Sequence, residues 1–117
     1  MNNLYAGFAR TNINPMMGIG ISGYFIVRKA EAILDDLEIN AVALKSGDDC
    51  AVMLSVDLLY VETFIAEECK AKIAKRLGIS EEAVFLHATH THTGPYLDPK
   101  CKLAKTFNEE EVALIAE

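Results

Sequence analysis

The sequence contains no tryptophan and only three prolines, three cysteines and three histidines in 117 residues. Each shortage excludes something. Cys50, Cys69 and Cys101 are odd in number and form neither a Cys-x-x-Cys pair nor the framework of a small secreted protein. Cys50 and Cys69 stand among apolar residues. They are expected to be buried free thiols, which suits a reducing compartment and makes the cytoplasm the default location. No apolar run approaches the ~20 residues of a membrane-spanning helix. Met1 to Arg10 has no basic segment followed by an apolar one, so no signal peptide is expected. Basic residues are scarce as well: 11 Lys and Arg against 17 Asp and Glu give a net charge of −6. That balance argues against nucleic acid as a partner and reads as a solubilising surface.

What is present is enough for one core. Hydrophobic residues make up 51% of the chain, which places it among globular proteins of a single domain. All three histidines fall in Phe85-Leu86-His87-Ala88-Thr89-His90-Thr91-His92-Thr93-Gly94-Pro95, a run that starts apolar and ends in a polar turn. The remainder reads as the scaffold that carries this turn to the edge of a sheet.

In chain order, Leu4 to Ile13 is a candidate edge strand, stopped by Asn14-Pro15 because proline has no N–H for a ladder. Gly18, Gly20 and Gly23 spell Gly-x-Gly-x-x-Gly. A dinucleotide fingerprint requires those glycines directly after a buried strand, then a helix, then an acid ~20 residues on. Pro15-Met16-Met17 intervenes, and the next apolar strand ends in Lys45, so the segment reads as a turn-rich loop. Tyr24 to Asp36 is ambiguous: Phe25-Ile26-Val27 looks extended, and Lys29 to Leu34 is compatible with a short helix.

Leu37 to Lys45 and Cys50 to Val56 read as two strands of an antiparallel hairpin joined by Ser46-Gly47-Asp48-Asp49. The second is continuously apolar, the pattern of burial on both faces. Glu62 to Leu77 is the clearest helix. Phe64, Ile65, Cys69, Ile73 and Leu77 recur at helical spacing, with Glu67, Glu68, Lys70, Lys72 and Lys75 facing outward. Acids early and bases late suit the helix dipole, and Gly78 suits its C-cap. Ala83 to Ala88 is the following strand, and a further helix is expected from Asn108 onward. The fold class is therefore α/β: a mixed sheet with a β-hairpin followed by a right-handed βαβ unit.

This order has a chemical consequence. Ligand sites in such sheets lie beyond the carboxyl ends of the parallel strands. Asp57 and the turn from Thr89 to Pro95 both fall there. In a continuing strand, His90 and His92 would share a side, so their imidazoles could converge on one ion or substrate. His87 has the opposite parity and reads as a buried or hydrogen-bonded structural histidine. A catalytic zinc takes about three protein ligands and a water. Two histidines do not complete it, and any further ligand would be Asp57, another acid or a residue of another chain. Asp98 is near in sequence but lies past Pro95.

Thr89-His90-Thr91-His92-Thr93-Gly94-Pro95 resembles the Thr-His-Thr-His-Ser-Gly-Pro signature of the neutral (non-lysosomal) ceramidase family, in the N-terminal part of its catalytic region. Ala9 to Pro15, Gly20 to Tyr24, Ala41 to Leu44, Leu54 to Leu58, Gly78-Ile79 and Val84 to Pro95 resemble family segments in the same order. The resemblance implies a zinc-dependent amidase acting on a lipid amide or another amide, with a place in sphingolipid metabolism. It makes His90 a metal ligand and His92 a catalytic group beside the metal, with Asp57, Thr93 and Gly94 at the rim. It also implies that residues 1–117 are one N-terminal portion of a longer catalytic domain, truncated at its C-terminus, and so a fragment of a larger α/β hydrolase domain. The remaining ligands of that family, a histidine, a glutamate and a tyrosine, come from later segments, so the zinc site in this chain is incomplete. Thr93 stands where the family has serine, which keeps a hydroxyl. Tyr96-Leu97-Asp98 departs from the glycine-rich continuation.

Two other readings differ in class. A metallo-β-lactamase-like hydrolase carries His-x-His-x-Asp-His, and Gly94 stands where its Asp is required. A non-catalytic fragment would expose surface meant to be covered and would homo-oligomerise through it.

Overall fold

The structure, a computed structural model, describes residues 3–97. Its regular structure among the described residues is six strands, one α-helix and a short 3-10 helix: β1 (Leu4–Asn12), β2 (Gly20–Ile21), β3 (Arg28–Lys29), β4 (Glu38–Ser46), β5 (Asp49–Val56), α1 (Thr63–Leu77), the 3-10 turn Glu81–Ala83 and β6 (Val84–Ala88). β1, β4, β5 and β6 form one sheet in that order, and β2 pairs with β3 in a small second one. The main sheet is mixed. β1 and β5 run antiparallel to β4, and β6 runs parallel to β5 with α1 between them in sequence. The chain is thus α/β, a mixed sheet with one helix. Gly47 supplies the positive φ of 59° at the β4–β5 turn.

The register assigns the two faces. Val52, Leu54 and Val56 of β5 stand beside Val84, Leu86 and Ala88 of β6. This is the covered face: Val52, Val56 and Val84 are buried, and Ile65, Cys69 and Ile73 of α1 line a cleft with Leu54, Val56 and Leu86. Val56, Leu58 and Leu97 form the centre of the core, with Ile13, Ile39, Val61, Ile65 and Leu86 packed around them. The alternate row of the register is Phe8–Val42–Met53–Phe85, running across all four strands. It lies on the other face, where Phe8 is 79%, Phe85 58% and Met53 45% exposed.

Several expectations change here. β5 is buried on one face only, because α1 covers that face and nothing among the described residues covers the other. Cys50 and Cys69 are half-buried free thiols rather than fully buried ones. On α1, Phe64 and Leu77 are exposed although their spacing placed them on the apolar stripe, while Lys70 is half-buried. The first turn of α1 holds no acid, its N-cap Glu62 makes no side-chain cap bond, and Lys75 and Arg76 occupy the last turn. Gly78 caps the helix in the left-handed conformation, φ 66°, as its position suggested. Tyr24 to Asp36 contains no helix and contributes only the two-residue β3. Cys101, Asp98 and the helix expected from Asn108 lie outside the described residues.

Candidate active site

The site is built where β5 and β6 end side by side. Past Val56 the chain leaves the sheet as Asp57-Leu58-Leu59, and past Ala88 it leaves as Thr89-His90. Two backbone bonds tie these exits together: Thr89 N donates to Val56 O at 2.9 Å, and His90 N donates to Leu58 O at 3.0 Å. His90 then takes φ 65°, the left-handed region that a side chain rarely adopts. β6 has already stopped at Ala88, so strand parity does not set the histidines. The turn at His90 does.

The two imidazoles are nevertheless neighbours. Their ring centroids lie 5.2 Å apart with the planes at 77°, edge to face. His90 is exposed, and His92 is half-buried. His90 Nδ1 lies 2.8 Å from the Leu59 carbonyl oxygen. A carbonyl only accepts, so Nδ1 is the donor, and in the neutral ring the lone pair is then on Nε2. This is the arrangement in which a histidine binds a metal through one nitrogen while a backbone carbonyl fixes the other. His87 is exposed on β6, with its ring tilted against Phe85 at 6.2 Å and Nδ1 3.3 Å from Ala88 O. It is hydrogen-bonded but not buried.

Asp57 is a brace. Its Oδ2 accepts from Glu38 N at 2.9 Å and its Oδ1 from the Thr89 hydroxyl at 3.1 Å. Both oxygens are thus engaged in holding the start of β4 and the exit of β6 together. Gly94 is buried, and a Cβ there would lie 3.2 Å from Asp57 O and 3.4 Å from Thr91 Cγ2. A side chain at that position would crowd the Asp57 backbone, which suits the glycine that stands where the metallo-β-lactamase pattern has its Asp. Thr93 is exposed, and its hydroxyl pairs with that of Thr91 at 2.9 Å. With Thr89, Thr91 and Asp57 it lines a cleft of about 590 Å³ whose other walls include Ile19, Ile33 and Leu34. The histidines are not among those walls. The turn therefore presents alternate residues to two sides: threonines to the cleft, imidazoles away from it.

The glycine loop closes on the histidine side. Ser22 N donates to Gly94 O at 3.0 Å and Tyr96 N to Gly20 O at 2.9 Å, and Ile21 bridges Pro95. Gly23, at φ 113°, abuts His92: a Cβ on it would lie 2.6 Å from His92 Nδ1. The Tyr24 ring meets the His92 ring edge to face at 5.4 Å. Arg28 Nη2 donates to His92 O at 2.6 Å and to Ser22 O at 3.1 Å, and its guanidinium lies 4.2 Å over the Tyr24 ring. The Leu59 carbonyl and Arg28 left no signal in the sequence. Gly23 and Tyr24 did, through the glycine pattern and the Gly-Tyr stretch, but not a signal that assigned them to a histidine.

Among the described residues, no group of three or more His, Cys, Asp and Glu side chains converges as a metal cage. His90 and His92 are the donors the site offers, and the protonation of His90 fits zinc as one ligand of a set.

No family model and no curated protein matches the chain. Solved structures do. The fold is similar to that of neutral ceramidase from Pseudomonas aeruginosa, with a TM-score of 0.73 and 22% identity over 83% of this chain and 16% of that one. It is also similar to a ceramidase complexed with C2, with a TM-score of 0.80 and 21% identity over 99% of this chain and 20% of that one. The chain therefore has a neutral ceramidase-like fold and spans a fifth or less of the length of the structures it matches.

Proposed function

We propose that these residues are one N-terminal portion of a ceramidase-like zinc amidohydrolase, within a larger α/β hydrolase domain whose βαβ crossover is right-handed. The observation that carries this reading is the imidazole pair: two rings at 5.2 Å, one with Nδ1 fixed by a backbone carbonyl. The likeness of fold to two ceramidase structures supports it. The substrate class is an N-acyl amide, a lipid amide such as a ceramide being the first to test, which would place the reaction in sphingolipid metabolism.

His90 Nε2 would hold zinc. Zinc supplies polarisation of the amide carbonyl and a water acidic enough to attack it at neutral pH. His92 is placed to donate a proton or a hydrogen bond to the oxygen or nitrogen that gains charge as the amide reacts. Gly23 and Tyr24 fix its ring on one side and His90 bounds it on another. Asp57, Thr93 and Gly94 form the rim. Asp57 and Gly94 hold the turn, and Thr93 faces the neighbouring cleft. The other ligands would come from outside residues 1–117, so this chain alone would be inactive. Free thiols at Cys50 and Cys69 support a reducing compartment, and we place the protein in the cytoplasm.

The test is zinc titration of the chain followed through the three histidine ring signals by NMR. The His90 signals should move first, and His90→Ala should remove the response. Movement confined to His87 would end the assignment.

A second reading rests on a different observation. Phe8, Met53 and Phe85 are exposed in one row across the sheet. A sheet buries its apolar face against another layer. In isolation this face favours a non-catalytic, homo-oligomerising fragment. No helix among the described residues is long and apolar enough to cross a membrane.

A further inference from the structure

The glycine motif has no phosphate role in the reading above, and Arg28 has no role at all. The geometry gives one to Gly23 and to Arg28. Three contacts converge on His92 from a single loop. The Gly23 backbone abuts the ring so closely that a Cβ would meet Nδ1 at 2.6 Å, Cγ at 2.7 Å and Cβ at 2.9 Å. Tyr24 supports the ring edge to face at 5.4 Å. Arg28 grips the carbonyl of the same residue at 2.6 Å and stacks 4.2 Å over Tyr24. The same Nη2 donates to Ser22 O at 3.1 Å, and buried Ser22 is tied back to Gly94 and Pro95 through its hydroxyl at 3.2 and 3.4 Å. Arg28 thus bridges the two backbones that carry Gly23 and His92, and it sets the ring that packs on the imidazole.

We propose that Arg28 is a positioning residue for His92, and that Gly23 with Tyr24 is a cradle for its imidazole. The functional weight of the proposal rests on the reading of His92 as a working group. The geometry does not. Charge-assisted bonds to carbonyls are stronger than neutral ones, and a planar guanidinium can bond in its plane while stacking on an aromatic face. Methionine can do only the packing. Lysine can restore a charged donor to His92 O without the planar stack. At Gly23 any side chain enters the space of the ring and must also adopt a positive φ.

The test is NMR on the full labelled chain, reading the cross-relaxation between Tyr24 ring protons and His92 ring protons, and the shift of the His92 ring signals. In Arg28→Met the Tyr24–His92 cross-peaks should disappear and the His92 signals should move, while amide shifts of β4, β5 and β6 stay put. In Arg28→Lys the cross-peaks should return in part. Unchanged cross-peaks and His92 shifts in Arg28→Met would overturn the proposal. If Arg28→Met does not fold, Gly23→Ala decides: displaced His92 signals, with amide changes confined to residues 20–30 and 90–96, support the cradle, and unmoved ones overturn it. Zinc titration of the wild-type chain is read separately. Histidine signals that ignore zinc count against the hydrolytic reading and leave the positioning result intact.

Discussion

His90 Nδ1 and the Leu59 carbonyl oxygen lie 2.8 Å apart, across 31 residues of sequence. The loop after β5 thereby selects the tautomer of a histidine that follows β6. A free imidazole samples both tautomers, and this one is left with its lone pair on Nε2. The first prediction concerns that nitrogen. Two imidazoles are fewer donors than a closed zinc site contains, so the chain should bind zinc only weakly by calorimetric titration. Nanomolar affinity would mean that an acid or a second copy completes the site. In a protein carrying this chain with later segments, His90→Ala should abolish metal-dependent amide hydrolysis, and wild-type turnover in that variant would defeat the ligand assignment.

Asp57 separates bracing from binding. Both of its oxygens accept hydrogen bonds, from Glu38 N and from the Thr89 hydroxyl. Bonds to a charged group contribute about 1.5–3 kcal/mol each. Asp57→Ala should therefore lower the unfolding free energy by ~2–4 kcal/mol, allowing for partial replacement by water at a half-buried site. Asn should recover part of the loss because its amide oxygen still accepts. Urea denaturation measures it. An Asp57→Ala chain of unchanged stability that no longer binds zinc would make the residue a ligand instead.

The open sheet face predicts association. Phe8, Val42, Met53 and Phe85 lie in register across four strands, with Arg10, Asn40, Ser55 and His87 in the next row on the same face. An apolar centre with a polar border is the anatomy of an interface. Sedimentation at micromolar concentration should show dimers or larger species. Phe8→Lys with Phe85→Lys should shift the chain to monomer without loss of helix signal. A wild-type monomer would refute the association.

Cys69 gives a pH dependence. Burial raises its thiol above the ordinary value of 9.0, Glu68 pushes the same way, and Lys72 opposes both. A folded pKa above the unfolded one means the contribution to stability is complete below pH 9.0 and is lost as pH rises through the folded value. Alkylation of Cys69, followed by peptide mass spectrometry, should inflect at higher pH in the folded chain than in urea. Coincident inflections would show that the thiol is not shielded.

Much of the scaffold was legible because periodicity carries it. β4, β5, α1 and β6 fall within a residue or two of their expected bounds, since alternation and the 3.6-residue repeat are local signals. Burial was harder to read. Continuous apolar character in β5 implied two covered faces, but whether a second layer exists is decided elsewhere in a structure. The histidine pair was found by its spacing, though for the wrong reason: the strand stops at Ala88, and the left-handed residue at His90 brings the rings together. Arg28 was invisible because its partners are backbone carbonyls, one of them 64 residues away, and carbonyls leave no trace in residue identity.

The left-handed backbone at His90 bears on what substitutions there would report. An L-residue there carries a conformational penalty of about 1–2 kcal/mol that glycine escapes. His90→Gly should accordingly melt no lower than His90→Ala, since both lose the imidazole bond to Leu59 O and only glycine escapes the penalty. The gap between the glycine and alanine variants then reads the cost of the left-handed backbone itself, apart from anything the imidazole does.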